Sequence, residues 1–366
     1  MRGSAVRLRP EGGAPRRRYV ILAEGWFANR HAKTAHGLLR YGRGGPEEVV
    51  AVIDSTLAGR RARDLLGGVP EERDAPIVPD LDAALAAGSP GPTSVLVGLA
   101  PPGGRLPEDW LRTLRRASDE GLEIVSGLHQ RLAPEFPEAR VWDVRDAPEV
   151  PLFSGAGFGV EPKVALSVGT SSAVGKMTAT LEVERAARER GVATEFAATG
   201  QTGILISGWG LCVDAVVSDF VAGASEQLVL EAARGVPTPD LVLVEGQGSI
   251  GHPAYSGVTA GLLHGSCPDC LLLCADASQE PIVPGVPQPA PDAVARVYEA
   301  VAALVKPAPV VAVSVNTHGL EDEAAARFVE KVAAETGLPA ADPFREAVGP
   351  LLEAILHAPK TSAAAL

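Results

Sequence analysis

The residues with the clearest chemical meaning form a loop between a predicted strand and a predicted helix. Val164–Val168 is an apolar run typical of a buried strand, and residues 169–176 follow it as Gly-Thr-Ser-Ser-Ala-Val-Gly-Lys. A glycine-bounded loop at a helix N-terminus presents consecutive backbone N–H groups to an anion. The lysine adds a positive charge for phosphate oxygens. The loop therefore predicts a site for a phosphate-bearing ligand.

This loop departs in two ways from the common pattern G-x-x-x-x-G-K-[ST]. Five residues separate its glycines, and Met177 stands where the pattern places a hydroxyl that ligates Mg²⁺. Thr178 carries the next hydroxyl, but one residue is about 100° around a helix, so it does not simply replace the missing ligand. The candidate ligand-binding residues are Gly169, Thr170, Ser171, Ser172, Ala173, Val174, Gly175, Lys176, Met177 and Thr178, with Asn316 for a nucleotide base.

A second group of polar residues follows the other predicted strands of the C-terminal half. Loops 199–203, 245–249 and 316–319 each follow a strand, and the carboxyl ends of parallel strands share one edge of a sheet. Glu245 ends an apolar strand in the manner of a Walker B acid, so it can hold Mg²⁺ or act as a general base. His252 and His264 are candidate proton carriers. Glu245 and these two histidines form the predicted catalytic set.

The predicted substrate-binding residues are polar side chains near these loops and near the first helix of the N-terminal half. Cations and N–H groups at a helix N-terminus suit an anionic substrate, and the side-chain amides of glutamine suit carboxylate or amide groups. This set comprises Lys33, His36, Arg105, Thr199, Gln201, Thr202, Gln247 and Tyr255.

Strand-like and helix-like runs alternate along most of the chain, which predicts an α/β protein with two doubly wound parallel sheets. We expect a Rossmann-like domain over 19–148, a Pro- and Gly-rich linker over 149–161, a P-loop domain over 162–355 and a tail over 356–366. Asp54 lies where a ribose-binding acid would lie, but no G-x-G-x-x-G follows the first strand. The first domain is therefore not expected to bind NAD.

Composition limits the partners and the compartment. The chain has 366 residues, 46% of them hydrophobic, and a net charge of −12, which argues against nucleic acid or an anionic membrane as a partner. Residues 1–18 contain six arginines and are expected to be a disordered basic tail. We find no apolar run of signal-peptide or membrane-span length, so a cytoplasmic location is expected.

Three cysteines, Cys267, Cys270 and Cys274, are spaced in a way that raises the question of a metal cluster. The segment Cys270–Cys274 reads as a buried strand, and buried cysteine behaves as a small hydrophobic residue. We therefore predict a packing role for these thiols, and no resident metal. If Mg-ATP is the ligand of the loop, Glu245 is the expected metal ligand.

The loop at 169–176, taken together with Glu245-Gly after its apolar strand, resembles dethiobiotin synthetase and related ATP-dependent synthetases that form amides. Those proteins carry threonine directly after the lysine, where this chain has Met177. This resemblance implies a kinase or an amide-forming ligase that uses ATP with Mg²⁺.

A resemblance over about 19–350 is to a bacterial family long known only as a domain of unknown function. It rests on the motifs at 33–40, 98–106, 124–129, 198–203, 219–224, 244–249, 252–259 and 261–265. The resemblance implies a Rossmann-like domain followed by a P-loop domain, and some members look like D-glutamate N-acetyltransferases of D-amino-acid metabolism. The family loop usually reads Gly-Thr-Asp-Cys, where this chain has Ser171 and Ser172.

That second resemblance implies an N-acyltransferase that acts on the amino group of an acidic amino acid such as D-glutamate, with acetyl-CoA or another acyl-CoA as donor and a homodimer as the assembly. A P-loop can hold the phosphates of coenzyme A without Mg²⁺, and Met177 favours this use. An ATP- and Mg²⁺-dependent enzyme, or a nucleotide-binding regulator without catalysis, are the alternatives.

Overall fold

The computed structural model describes residues 8–9, 16–29, 31–45, 48–99, 105–278 and 280–363. Most of the predicted basic tail lies outside these residues. The chain forms two compact units. We call residues 9–147 with 201–212 the N-terminal unit, and residue 8 with 148–200 and 213–363 the P-loop unit.

The N-terminal unit is built on a six-stranded parallel sheet of order β3-β2-β1-β4-β5-β6. Its strands are β1 (Tyr19–Leu22), β2 (Val49–Ile53), β3 (Ile77–Val78), β4 (Ser94–Val97), β5 (Glu123–Ser126) and β6 (Val141–Asp143). The helices α1 (Lys33–Tyr41), α2 (Leu81–Ala86) and α3 (Glu108–Asp119) connect them. The central strands β1 and β4 are buried along their whole length, as expected of parallel strands with both faces covered.

The P-loop unit has a second six-stranded parallel sheet, of order β12-β11-β10-β7-β9-β8. Its strands are β7 (Lys163–Gly169), β8 (Thr194–Ala197), β9 (Leu241–Val244), β10 (Cys270–Asp276), β11 (Val310–Asn316) and β12 (Ala340–Ala341). Its helices are α4 (Lys176–Glu189), α6 (Val221–Ala232), α7 (Ser256–Gly265), α8 (Pro291–Ala302), α9 (Asp322–Thr336) and α10 (Gly349–His357). The predicted fold class, two doubly wound parallel sheets, is confirmed.

One helix of the N-terminal unit comes from a later part of the chain. Helix α5 (Gln201–Ser207) follows a strand of the other sheet but packs against α1, where the Thr202 and Thr34 hydroxyls are 3.0 Å apart. Gln201, the first residue of this helix, accepts a 2.9 Å hydrogen bond at Oε1 from Arg145 Nη2. The Gly-rich sequence predicted a loop over 199–203, because glycine has a weak helix propensity. Burial of Thr202 to Ile206 outweighs that weak helix propensity.

The predicted strand around the cysteines is confirmed as β10, and Cys270 and Cys274 pack in the hydrophobic core between the sheet and α4. Burial raises the pKa of Cys267, Cys270 and Cys274 to about 12, so these thiols stay protonated at neutral pH. Within the described segments, no helix is both long enough and apolar enough to cross a membrane.

Helices α6 and α7 pack at a distance that only glycine allows. A Cβ on Gly265 would lie 2.1 Å from the carbonyl oxygen of Ala222, and one on Gly261 would lie 2.6 Å from a methyl group of Val221. The two glycines are one helical turn apart on the same face of α7.

We predict that Gly265→Ala lowers the unfolding free energy of the protein by about 1–3 kcal/mol, because α6 must move to admit the methyl group. Gly257→Ala in the same helix is the control: no atom lies within 4 Å of the added Cβ, and the change is expected to stabilise by about 0.5–1 kcal/mol. Urea unfolding of both variants measures the difference. Equal stability of the two would contradict the close packing.

Candidate functional site

The predicted phosphate loop lies between β7 and α4, as its sequence requires. Both bounding glycines are needed for its curvature. Gly175 has φ +93°, a left-handed conformation that side chains rarely adopt, and a Cβ on Gly169 would lie 2.7 Å from Val174 Cγ2 and 2.9 Å from Ser171 O. The loop therefore closes tightly around its own lysine.

The ammonium group of Lys176 lies inside this loop. The residue is only 5% exposed, and its Nζ donates hydrogen bonds of 3.0 Å to Ser171 O and 2.9 Å to Ser172 O. These contacts fix the charge under the loop, where it can attract a phosphate group.

The first turn of α4 carries the departure from the common pattern. Met177 and Thr178 are half-buried there. The hydroxyl of Thr180 is buried, 2.8 Å from Lys176 O and 2.9 Å from Ser167 Oγ, so it serves the packing of the helix on β7. Thr180 is therefore not a candidate metal ligand, and Thr178 carries the other hydroxyl group in this turn.

Glu245 lies directly after β9 and is 4% exposed. Its Oε2 accepts hydrogen bonds from Thr199 N (3.0 Å) and Gly200 N (3.2 Å). Its Oε1 accepts none from the residues that the structure describes. Burial raises the pKa of Glu245 to about 7, and Asp214 adds to this, while the two N–H groups and the charge of Lys176 act in the opposite direction. The carboxyl group thus titrates near neutral pH.

The residue after Glu245 joins the acid to the phosphate loop. Gly246 N donates a 2.8 Å hydrogen bond to Ser167 Oγ on β7. A Cβ on Gly246 would lie 1.8 Å from Ser167 O and 3.0 Å from Lys176 Cδ. The loop that carries the acid therefore touches both the strand and the lysine of the phosphate site.

Gln247 and Thr199 belong to the same cluster. The Gln247 side-chain Nε2 donates a 3.1 Å hydrogen bond to Thr199 Oγ1, and the Thr199 hydroxyl lies 2.8 Å from Glu245 O. The structure therefore brings together four predicted site residues of the P-loop unit, namely Lys176, Thr199, Glu245 and Gln247.

The two predicted catalytic histidines differ in their surroundings. His252 is 6% exposed, its Nδ1 accepts from Ala254 N at 3.2 Å, and its ring stacks on half-exposed Tyr255 with 4.3 Å between centroids. His264 lies at the end of α7, where its Nε2 is 3.0 Å from Val301 O at the end of α8. The contact of His264 is one of helix packing, and its catalytic role stays a prediction.

The remaining predicted substrate residues lie in the N-terminal unit. Lys33 is exposed at the start of α1, and Arg105 is exposed where the described chain resumes. His36 Nε2 lies 2.6 Å from Phe27 O, and burial lowers the pKa of this imidazole. Gln201 and Thr202 make the contacts with Arg145 and Thr34 given above. Substrate binding by these five residues stays a prediction.

Asp54 is the acid that lies, by its position in the sequence, where a dinucleotide-binding domain has its ribose-binding acid. Its Oδ2 accepts from Phe27 N at 3.0 Å and its Oδ1 from Thr56 N at 3.1 Å, and the residue is fully buried. The carboxylate therefore supports the turn after β1.

Sequence reasoning missed three residues at the phosphate loop. Asp276 ends β10, and its Oδ2 is 3.4 Å from Asn316 Nδ2 at the end of β11. Gln288 Nε2 donates a 3.0 Å hydrogen bond to Thr170 Oγ1, and the buried hydroxyl of Tyr298 reaches Gly169. The signal for Asp276 was an acid at the end of an apolar strand, the same signal that identified Glu245. Gln288 and Tyr298 are far from the phosphate loop in the sequence, and no sequence signal identified them.

Comparison with known proteins gives two matches to family models. Residues 151–352 match the P-loop domain of DUF1611, a domain of unknown function, and residues 55–147 match the Rossmann-like domain of the same family. A crystal structure of a DUF1611 family protein from Anabaena variabilis is similar, with a TM-score of 0.85 and 37% identity over 93% of this chain and 99% of that one.

Two relatives carry a functional name. A protein of Tritonibacter scottomollicae, named D-glutamate N-acetyltransferase, is 37% identical over 291 residues, which are 75% of this chain and 84% of that protein. A protein of Pseudoalteromonas with the same name is 36% identical over 271 residues, 70% of this chain and 80% of that protein.

The buried carboxyl of Glu245 predicts a pH-dependent stability. The unfolded chain loses this proton near pH 4.5 and the folded protein near pH 7, so folding takes up a proton between these values. The contribution of Glu245 to the unfolding free energy therefore falls as the pH rises from 4.5 to 7, by on the order of 3 kcal/mol, and stays low above pH 7.

We predict that Glu245→Gln gains stability relative to the wild type when the pH is raised from 5 to 8, because the amide bears no charge at either pH. Urea unfolding at the two pH values measures this gain. Glu189→Gln, an exposed change at the end of α4, is the control and should follow the wild type. A constant difference between Glu245→Gln and the wild type would contradict the raised pKa.

Proposed function

Since the chain belongs to the DUF1611 family, with both its Rossmann-like and its P-loop domain, we propose that it is an N-acetyltransferase acting on the amino group of an acidic amino acid such as D-glutamate. Two relatives of that name align with 70% or more of the chain. The observation that carries the proposal is the buried Glu245 carboxyl, packed beside the lysine of the phosphate loop and titrating near pH 7.

Acyl transfer to an amine needs a base, because the amine is protonated at neutral pH and only its neutral form attacks. A base is most effective when its pKa lies near the working pH. Glu245 meets this condition, and its Oε1 has no hydrogen-bond partner among the described residues. We assign to Oε1 the removal of the proton from the substrate ammonium group.

The negative charge that develops on the attacked carbonyl oxygen requires hydrogen-bond donors. The amides of Gly200 and Gly246 are already committed to Glu245 and Ser167. The next two amides, of Gln247 and Gly248, donate to no group in the part of the chain that the structure describes. Gly248 has φ +63°, and a Cβ there would meet Tyr255 O at 2.8 Å. We assign the oxyanion to these two amides.

The proposed donor is acetyl-CoA, which when bound supplies the acetyl group as a thioester. Lys176 and the N–H groups of the loop would hold its phosphates, and the tight curvature at Gly169 and Gly175 fits such an anion. Met177 removes the usual metal-binding hydroxyl, which coenzyme A binding does not need.

An ATP- and Mg²⁺-dependent kinase or ligase is the second candidate. It is favoured by the two carboxylates at the ends of the strands on either side of β7, Glu245 after β9 and Asp276 on β10, since oxygen ligands suit Mg²⁺.

We predict that Glu245→Gln lowers kcat for D-glutamate acetylation by a factor of about 10²–10⁴, the usual contribution of a general base. In the wild type, kcat should rise with pH through a midpoint near 7, because the ionised carboxylate is the active form. This rise of kcat with pH should be absent in Glu245→Gln. Steady-state kinetics with acetyl-CoA measure both effects, with Glu189→Gln as the control. Normal turnover by Glu245→Gln would exclude this residue as the base.

We predict that acetyl-CoA without Mg²⁺ raises the melting temperature of the wild type. Ligand at 100 times its Kd stabilises by about 2.7 kcal/mol. Lys176→Ala should abolish the shift, because the buried ammonium group is lost. Lys331→Ala, an exposed lysine on α9, should keep it. A shift with Mg-ATP and none with acetyl-CoA would overturn the acyltransferase in favour of the second candidate.

A further inference from the structure

Tyr298 lies on α8 and is completely buried. Its hydroxyl donates a 2.9 Å hydrogen bond to Gly169 O and accepts from Ile250 N at 3.0 Å and from Gly169 N at 3.4 Å. A phenol can both donate and accept hydrogen bonds, and this one does both. Burial raises the pKa of Tyr298, which keeps the phenol protonated and able to donate.

The partners of this hydroxyl belong to different loops. Gly169 begins the phosphate loop, whereas Ile250 and the Ser249 side chain, which also hydrogen-bonds the phenol, lie in the turn that follows Glu245. In that turn His252 N donates to Ser249 O at 3.0 Å, and His252 then stacks on Tyr255. The hydroxyl thus joins the start of the phosphate loop to the turn that carries His252.

A second contact joins the beginning of the segment after Glu245 to β7. Gly246 N donates to Ser167 Oγ on β7, two residues before Gly169. Segment 246–250 is therefore held at its beginning by Ser167 and at its end by Tyr298. The amides of Gln247 and Gly248 lie between these two points of attachment. Between them, Thr259 Oγ1 donates a 2.8 Å hydrogen bond to Gln247 O, so loss of the Tyr298 contact would loosen the end of the segment near Ile250.

We propose that Tyr298 is a positioning residue that fixes segment 246–250 at a set distance from the phosphate loop. An anion bound at the loop and the amides at 247 and 248 then keep a constant relative position. This inference rests on the proposed function for the identity of the donor and for the role of those amides. The coupling between the two loops requires only an anion bound at the phosphate loop.

The test variant is Tyr298→Phe, which removes the hydroxyl and keeps the ring. In acetyl transfer, we expect kcat to fall about tenfold or more, since the oxyanion donors lose their fixed position. The KM for the amino acid and the pH midpoint near 7 should not change, because Glu245 is intact. Tyr19→Phe, another buried tyrosine but on β1, is the matched control and should keep wild-type kinetics. Wild-type kcat in Tyr298→Phe would overturn the proposal.

A second measurement uses inorganic pyrophosphate as the probe and needs no turnover. In the wild type, pyrophosphate should slow hydrogen exchange at 169–176 and also at 249–252. In Tyr298→Phe the slowing should be confined to 169–176. If pyrophosphate leaves exchange at 249–252 of the wild type unchanged, the proposal is overturned, whether or not the variant folds. If the coupled protection is present but the wild type acetylates no acidic amino acid, the proposed function fails and the role of Tyr298 stands.

Discussion

The close approach of the segment after β9 to β7 is the constraint on which the rest of the site depends. At Gly246 the backbone lies so near Ser167 that a Cβ would be 1.8 Å from its carbonyl oxygen. No other residue type fits there without moving one of two central strands. The preceding residue, Glu245, is buried near the phosphate loop. This burial raises the pKa of its carboxyl group to about 7, and the charge of Lys176 acts in the opposite direction.

The site keeps two ionisable groups in an interior that disfavours charge. A buried charge is costly unless hydrogen bonds and an opposite charge compensate for it. Lys176 is compensated by the loop carbonyls of Ser171 and Ser172, and Glu245 by the amides of Thr199 and Gly200. In the proposed function, Lys176 would hold a phosphate group of the donor and Glu245 would take a proton from the substrate ammonium group.

Much of this site could be predicted from the amino-acid sequence. The phosphate loop, the acid at the end of β9 and the neighbouring Thr199 and Gln247 follow from one rule, that polar residues after parallel strands share an edge. The rule gave the wrong secondary structure for 201–203, which it assigned to a loop. Gln201 and Thr202 instead begin helix α5 in the N-terminal unit, where they contact Arg145 and Thr34. Which unit a segment packs in is decided by long-range burial that no local pattern records.

Local sequence patterns are sufficient to predict the two parallel sheets, because buried strands separated by helices have few other ways to pack. They also predict the phosphate loop, since the glycines and the lysine lie within one short segment. The influence of the site residues on one another, in contrast, depends on long-range packing. The raised pKa of Glu245 depends on how much water the surrounding strands exclude. The link through Tyr298 joins residues 129 positions apart in the chain, and it exists only because α8 folds back over the start of the loop.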